Sequence, residues 1–256
     1  MWKKSLLDSS KGKNIDFIFV DNSNDTKYVE AKSGLDMVPD WYKNMLSITH
    51  IQTPDGQKEE LTVKRCMPVF DALVNGYFLV TSIDYHVSKD DLGDTVISCA
   101  LPGKSIPITM HQAAQISGMP IPDEYQEYIY KWYNPYSIKT PKGYSIEFTQ
   151  PLNRFDLPFM SISGVVDTDK YFSPVQFPFM LKKDFIGVIP KGTPIIQIIP
   201  FKREGWKMNI HSDINQSVSE EYKKLSIEYE RNRYDKSGNL LGNIYKRRFR
   251  TVKKYL

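Results

Sequence analysis

The polar residues best suited to chemistry lie in two short segments of the second half of the chain. Asn153 and Arg154 are adjacent, and residues 167 to 171 read Asp-Thr-Asp-Lys-Tyr. A carboxylate after an apolar run could hold a water molecule or a ribose hydroxyl, and an arginine could hold a phosphate. The candidate catalytic residues of a hydrolase are therefore Asp167, Asp169 and Tyr171, and the candidate ligand-binding residues are Arg154 and Asn153. The alternative is a structural turn in which Arg154 pairs with Asp167.

The end of the chain carries a candidate site of a different class. Its basic side chains are Lys246, Arg247, Arg248, Arg250, Lys253 and Lys254. Such a run predicts either a solvated surface or a surface that binds nucleic-acid phosphates or an acidic partner. Tyr245, Phe249 and Tyr255 could pack or stack beside these charges.

Other catalytic patterns are missing from the sequence. It contains no Gly-rich phosphate loop, no HExxH and no GxSxG. The four histidines are scattered without HxH or HxD spacing, so we expect no metal centre and no cofactor, and Mg²⁺ enters only with the nucleotide-hydrolase hypothesis. Cys66 and Cys99 have no CxxC spacing, which predicts two buried, reduced thiols.

Length and composition indicate an ordinary globular protein. The 256 residues are 41% hydrophobic and 25% charged, with a formal net charge of +4. This mild charge does not by itself indicate a nucleic-acid partner. The sequence has no secretory signal pattern and no apolar run long enough to span a bilayer, so we expect a protein that is soluble where it is made.

The elements that must position these residues are mainly short strands. Tyr144, Ile146 and Phe148 alternate with polar residues after a Thr-Pro-Lys-Gly turn, which predicts a half-buried antiparallel strand. Residues 193 to 201 are apolar on both faces around Gln197, which predicts a central strand. The predicted fold class is mainly β with peripheral helices (α+β), with an antiparallel β-clip or barrel-like core and a charged, helical C-terminal appendage. The predicted domains are an N-terminal α+β part (1–135) packed on the same core, a β core (136–204) and the appendage (205–256).

The N-terminal part and the appendage contain further predicted elements. These are a strand at 15–20, a helix at 41–46 with Asp40 as its N-cap, a polar loop at 50–60, a helix from Lys64 to Val74 ended by Asn75-Gly76, and a strand at 77–87 that forms a hairpin with 95–101. Residues 123 to 132 fit a helix and a strand equally well. A charged helix is predicted at 217–233, opened by the Ser-x-x-Glu pattern of Ser217 and Glu220.

Five segments together resemble a recurring pattern of an uncharacterised protein family of tailed phages and bacteria. They are VKRCMPVFDALVNGYFL (63–79), KWYNPYSIKTPKGYSIEF (131–148), Pro-x-Asn-Arg (151–154), SGVVDTD (163–169) and GTPIIQIIPFKRE (192–204). The resemblance implies no specific activity. It implies a location in the cytoplasm of an infected host cell or in the virion.

A second resemblance concerns the fold. GVVDTDKY (164–171) followed by IPKGTPIIQI (189–198) is similar to two motifs of the trimeric dUTPases and dCTP deaminases. The resemblance implies a β-clip fold, with Asp167 as the base that activates water and Tyr171 under the sugar. It also implies that Gln197 is the motif glutamine and thus a third candidate ligand-binding residue. Tyr171 stands one residue further from Asp167 than in that family, and its Arg-Ser-Gly loop and Gly-rich C-terminal arm have no counterpart here.

Three functional hypotheses from different classes follow. The first is a non-enzymatic, phage-type binding or assembly protein, acting in the virion or as an accessory factor. The second is a nucleotide-binding or nucleotide-hydrolysing protein of dUTPase-like fold, and the third is a nucleic-acid-associated factor that acts through the basic C-terminus. The expected partners are further copies of the chain or other phage proteins, and exposed strand edges favour such self-association.

Overall fold

The computed structural model describes residues 13–20, 29–99, 108–231, 244–252 and 254–255. The strands in this part of the chain are β1 (Asp16–Phe19), β2 (Val29–Ser33), β3 (Ile48–Thr53), β4 (Gly56–Leu61), β5 (Tyr77–Thr81), β6 (Tyr85–Lys89), β7 (Thr95–Cys99), β8 (Ile108–Met110), β9 (Tyr125–Trp132), β10 (Tyr136–Lys139), β11 (Tyr144–Thr149), β12 (Phe159–Ser161), β13 (Gly164–Val166), β14 (Phe177–Lys182), β15 (Gly187–Ile189) and β16 (Pro194–Lys202). The helices are α1 (Asp40–Asn44), α2 (Met67–Leu73), α3 (Gln216–Arg231) and α4 (Ile244–Arg248). The fold is thus mainly antiparallel β with few helices, as predicted.

Two compact units share the chain, and each is assembled from two separate stretches of sequence. The first unit comprises residues 1–32 and 76–203, and the second comprises residues 33–75 and 204–256. The candidate residues at 153–171 belong to the first unit, and the basic C-terminal residues belong to the second.

Four sheets build the first unit. Their strand orders are β13-β11-β16-β5-β2, β12-β14-β9-β8, β15-β6-β7 and β1-β10. None of these sheets closes into a barrel among the described strands, so the β-rich class is confirmed but the closed form of a barrel is not. The largest sheet positions the candidate residues, because β13, β11 and β16 are neighbours in it.

Aromatic side chains fill the core of the first unit. Trp132 on β9 stacks on Phe179 of β14 with ring centroids 4.2 Å apart, and Phe159 of β12 meets both rings edge-on. The first five residues of β16 are buried, which confirms the predicted central strand. Buried aromatic rings contribute large apolar areas, so this cluster dominates the packing of the unit.

Two segments whose predictions were open or too coarse form strands in the structure. Residues 125–132, which fit helix and strand equally, form β9. The prediction of a single strand at 77–87 is wrong, because β5 ends at Thr81 and β6 begins at Tyr85 in a different sheet. The predicted hairpin exists between β6 and β7, with its turn held by the Asp90 carboxylate. Residues 100 and 101, the end of the predicted second strand, lie outside the described residues.

The second unit contains a small core and a hairpin. Tyr42, Leu73 and Val74 form a buried cluster, and the Tyr42 hydroxyl donates to the Lys64 carbonyl at 2.8 Å. The predicted polar loop at 50–60 is wrong, since residues 48–61 form the hairpin β3–β4. Both faces of this hairpin are largely exposed, so it carries no apolar alternation, and its local signals are the β-branched residues of β3 and the Pro-Asp-Gly turn.

The starts of α1 and α3 differ by one residue from the predictions, whereas α2 begins at Met67, three residues after the predicted Lys64, because residues 63–65 form a separate 3-10 turn. Helix α1 begins at Asp40 itself, with Pro39 as its N-cap. Helix α3 is capped by Asn215, whose side-chain oxygen accepts from the Val218 amide at 3.2 Å, so Ser217 is not the cap. Helix α2 ends at Leu73, and Gly76 has the predicted left-handed conformation with φ of 76°.

Candidate functional site

Three strand ends bring the predicted carboxylates together. Strand β13 ends just before Asp167, β11 begins at Tyr144, and β16 ends just before Arg203. Since β11 is antiparallel to both neighbours, these three ends meet at one edge of the sheet. The amide of Arg203 donates to the Gly143 carbonyl at 2.9 Å, which extends the pairing of β16 beyond its last residue.

The Arg203 guanidinium lies at the centre of this edge. It forms a bidentate pair with Asp169, with Nη1 to Oδ1 at 2.8 Å and Nη2 to Oδ2 at 2.5 Å. The same Nη1 lies 3.2 Å from Asp167 Oδ1 and donates to the Tyr144 carbonyl at 3.0 Å. Ser145 accepts from Arg203 and donates to Asp167 at 2.7 Å. We call these residues, Ser145, Asp167, Asp169 and Arg203, the Arg203 cluster.

Hydrogen bonds set the protonation states in the cluster. The pKa of Asp169 lies well below its ordinary value because Arg203 and the Gly143 amide both donate to its carboxylate. The pKa of Asp167 is also lowered, first by the hydrogen bond from Ser145 and then by the charge of Arg203. A carboxylate with a lowered pKa is a weaker base, whereas a general base at neutral pH needs a raised one. The arrangement is therefore suited to tying three strand ends together.

The other predicted site residues lie apart from this pair of carboxylates or on its exposed side. Tyr171 is half exposed, and its amide donates to the Asp167 carbonyl in the turn that follows β13. Arg154 pairs with Asp156, with Nε to Oδ1 and Nη2 to Oδ2 both at 2.8 Å. The alternative prediction, in which Arg154 pairs with Asp167 in a structural turn, is therefore wrong. Arg203 was not predicted because it follows an apolar strand, and only the register of β16 against β11 places it there.

Asn153, Arg154 and Gln197 shape one loop of the first unit, at residues 151–157. Gln197 is fully buried on β16, and its side-chain oxygen accepts from the Leu152 amide at 2.8 Å. Asn153 has a φ of 59°, in the left-handed region that asparagine tolerates better than most residues. Of the three residues predicted to bind a ligand, Gln197 and Arg154 thus hold this loop through hydrogen bonds, and Asn153 contributes its left-handed backbone conformation.

The basic C-terminal residues divide into two groups. Arg250 forms a bidentate pair with Asp71 of α2, with Nη2 to Oδ1 at 2.6 Å, and its guanidinium lies over the Phe70 ring. Arg248 of α4 forms an ion pair with Glu228 of α3. The remaining described cations, Lys246, Arg247 and Lys254, are exposed, and Lys253 lies outside the described residues. Two of the six predicted cations therefore stabilise the second unit itself.

An exposed apolar segment follows β16, at the start of the appendage that was predicted to be charged and helical. Residues 204–214, which we call the arm, have no helix or strand. Trp206, Met208, Ile210 and Ile214 are each between 80 and 91% exposed. The first three alternate with Lys207 and Asn209, so one face of an extended arm is apolar and the other is polar. This period of two was readable in the sequence, where it is typical of a strand.

The described residues place limits on other kinds of site. Cys66 and Cys99 form no disulfide in the described part of the chain, and both are only partly buried, whereas buried thiols were predicted. No group of three potential metal-ligating side chains lies together in the described part of the chain. Likewise, none of its described helices combines the length and the apolar character needed to cross a membrane.

Comparison of the chain with protein-family models, with curated proteins and with solved structures gave no match.

Proposed function

We propose that this protein is a non-enzymatic binding or assembly protein of the phage type, working in a virion or as an accessory factor. The observation that carries the proposal is the arm, where four large apolar side chains are at least four-fifths exposed. Association with another protein removes such apolar side chains from water, and this burial is energetically favourable.

The size of the apolar surface supports this function. A large side chain presents about 150–250 Å² when fully accessible, so the four side chains of the arm expose on the order of 600 Å². The largest apolar patch on a typical monomer is about 300–600 Å² and is often functional. The arm therefore reaches the upper end of that range with one short segment.

The alternation of the arm suggests how it binds. An extended segment with one apolar face can add to the edge of a sheet, where main-chain hydrogen bonds supply affinity and alternate side chains enter pockets. Trp206 is well suited as the anchor, since tryptophan is enriched among the residues that dominate interface energies. In this binding mode the arm forms an additional strand at the edge of a sheet in the protein partner.

The competing functions have weaker support from the same residues. A nucleotide hydrolase would need Asp167 as a base, and the hydrogen bond from Ser145 lowers the pKa of that carboxyl. A nucleic-acid factor would need the whole basic run, and Arg248 and Arg250 are engaged with Glu228 and Asp71. The binding function uses neither group and leaves both in their structural roles.

Co-purification of partner proteins with the chain, from the cells in which it is naturally produced, tests this proposal. A tagged copy is expressed beside the untagged chain, and proteins that co-purify in stoichiometric amount are quantified by mass spectrometry. The triple substitution Trp206→Ser, Met208→Ser and Ile210→Ser is expected to remove at least 90% of the co-purified partner, because it deletes the apolar face.

The matched control changes the other face of the same arm. Lys207→Ser, Asn209→Ser and His211→Ser alter three positions in the same segment, and the partner is expected to be retained. Equal recovery with the apolar-face and polar-face variants would contradict a binding role for the arm. Absence of any stoichiometric partner with the unaltered chain would contradict the proposed function as a whole.

A further inference from the structure

Helix α2 and two further positions form a polar site on the second unit. Asp71 lies on α2, and Asn75 follows the end of that helix, about one turn after Asp71. The Phe70 ring and the Ser33 hydroxyl belong to the same site, since all four residues contact one segment of the chain. We call Ser33, Phe70, Asp71 and Asn75 the strap site.

The segment that fills this site follows helix α4. The Arg250 guanidinium donates to the Asp71 carboxylate, with Nη2 to Oδ1 at 2.6 Å and Nε to Oδ2 at 3.1 Å, and its Cζ lies 5.6 Å from the centre of the Phe70 ring. The Tyr255 hydroxyl donates to Asn75 Oδ1 at 2.6 Å, and the Tyr255 carbonyl accepts from the Ser33 hydroxyl at 2.8 Å. We call Arg250, Thr251, Val252 and Tyr255 the strap.

The strap is separable from the core of the second unit. Among the described residues, the buried cluster around Tyr42 and the half-buried side chains packed against it include no residue of the strap. Val252 is 55% exposed, so the apolar side chain of the strap adds little to that core. Helix α4 is tied to α3 by the ion pair of Arg248 with Glu228, which involves neither the strap nor its site. Release of the strap therefore leaves the buried cluster and this ion pair in place.

We propose that the strap site also binds the strap of a second copy of this chain, so that two copies exchange straps in a two-fold dimer. The chemistry of the occupant is given by the contacts, because the strap is the segment that fits the site. A two-fold exchange satisfies both sites at once, since each copy gives one strap and receives the other. The proposal uses no residue of the arm and therefore goes beyond the proposed function, to which it adds a separate contact between copies.

The contacts make the site selective for this sequence. A guanidinium that forms a bidentate pair with a carboxylate and lies over an aromatic ring is recognised by its planar shape as well as by its charge, so lysine does not replace Arg250. The Tyr255 hydroxyl supplies a second fixed point at the other end of the strap. A segment without both groups would leave part of the site unfilled.

Concentration decides whether a site holds its own strap or that of another copy. A segment joined to its site by a short flexible connection has an effective concentration on the order of 1 mM. The unaltered chain should therefore keep its own strap at about 100 µM, and exchange should become frequent where copies are packed more densely, as in an assembly.

Opposite charge reversals in two full-length chains test the exchange. In the Asp71→Arg variant the site repels any strap that carries Arg250, and in the Arg250→Asp variant the strap is repelled by any site that carries Asp71. Neither variant can close on its own strap or pair with itself, but each carries the charge that the other lacks. By light scattering, their equimolar mixture is expected to form dimers at about 100 µM, with a dissociation constant at least 10-fold below that of either variant with itself.

Arg247→Asp is the matched control, because it makes the same charge change at a neighbouring, exposed side chain. Its mixture with Asp71→Arg should associate no more than Asp71→Arg does alone. A single chain that carries both Asp71→Arg and Arg250→Asp should have the chain mass at about 100 µM, since its own strap and site are complementary again.

Two outcomes would overturn the proposal. One is a mixture of Asp71→Arg and Arg250→Asp that associates no more tightly than either variant alone, and the other is equal association of Asp71→Arg with the Arg247→Asp control. Neither outcome bears on co-purification through the arm, so the proposed function would stand without strap exchange.

A second measurement decides the question if circular dichroism shows that a charge reversal unfolds the second unit. Full-length Asn75→Cys and Tyr255→Cys chains, with all charges unaltered, are mixed at about 1 mM and treated with a bifunctional maleimide. A cross-link between positions 75 and 255 joins two different chains by necessity, so its detection by mass spectrometry is the expected result. Absence of that cross-link would overturn the exchange.

Discussion

Gly76 is the position at which a single methyl group should be most damaging to the first unit. Its φ is 76°, and a Cβ built there would lie 2.1 Å from the carbonyl oxygen of Ile198 and 3.1 Å from the carbonyl carbon. Real Cβ atoms do not approach backbone oxygen so closely, and the oxygen belongs to the central strand β16. The substitution Gly76→Ala must therefore displace either β5 or β16.

The expected loss of stability has two parts. An alanine in the left-handed region costs about 1–2 kcal/mol, of which about 0.4–1 kcal/mol is offset because alanine also restricts the unfolded chain. The collision with Ile198 adds about 1–3 kcal/mol, the usual cost of forcing extra volume into a packed site. We expect Gly76→Ala to lower the free energy of unfolding of this unit by about 3 kcal/mol.

Gly192→Ala separates the two parts. Gly192 has a φ of 86°, and a Cβ there would meet nothing within 4 Å, so only the conformational cost of about 1 kcal/mol applies. Urea titrations followed by pulsed hydrogen exchange of a peptide covering Pro194–Lys202 report on the first unit alone. A lower midpoint for Gly76→Ala than for Gly192→Ala is expected, by about 1 M urea. Equal midpoints would show that the close approach of Gly76 to β16 does not exist.

Three further predictions concern residues that were first selected for chemistry. Arg203 holds the pKa of Asp169 low, so the Asp169 carboxylate should stabilise the fold above about pH 4 and lose that effect as the pH falls further. The difference in urea midpoint between the unaltered chain and Asp169→Asn should therefore become smaller below about pH 4. A difference that does not change with pH would contradict this. Arg250→Ala should cost about 2 kcal/mol by leaving Asp71 without its bidentate partner, as measured by chemical denaturation of the second unit, whereas exposed Arg247→Ala should cost nothing measurable. Gln197→Leu should cost about 1–3 kcal/mol and speed hydrogen exchange in the 151–157 loop, and unchanged exchange there would refute its role.

Local signals in the sequence predicted much of the fold. The alternation of Tyr144, Ile146 and Phe148 after a Pro-Lys-Gly turn was sufficient for β11, and the apolar run around Gln197 was sufficient for β16. In both cases the pattern lies within one element, where side-chain periodicity and turn chemistry act directly. The hairpin β3–β4 was missed for the converse reason, since both of its faces are largely solvent-exposed and carry no periodic apolar signal.

The site was less predictable because it depends on register. Asp167 and Asp169 were identified as a polar cluster, but their arginine comes from a strand end more than thirty residues later. A shift of one residue in the pairing of β16 with β11 would turn the neighbouring side chains to the opposite face. Arg154 was the obvious candidate by proximity in sequence, and it found Asp156 two residues away instead.

The arm shows what a correct local pattern leaves undecided. Alternation in Trp206, Met208 and Ile210 is typical of a half-buried strand, and the chain supplies no strand to pair with it in the described residues. Folding leaves an apolar face exposed only when no internal surface gains more by covering it than ordering the segment costs. An alternating segment that forms no helix or strand and stays exposed is then better explained by a partner outside the chain than by a failure of the pattern. Substituting its apolar face should accordingly leave the unfolding midpoint of the isolated chain unchanged while abolishing association, and a loss of stability in the isolated chain would show that the arm packs internally.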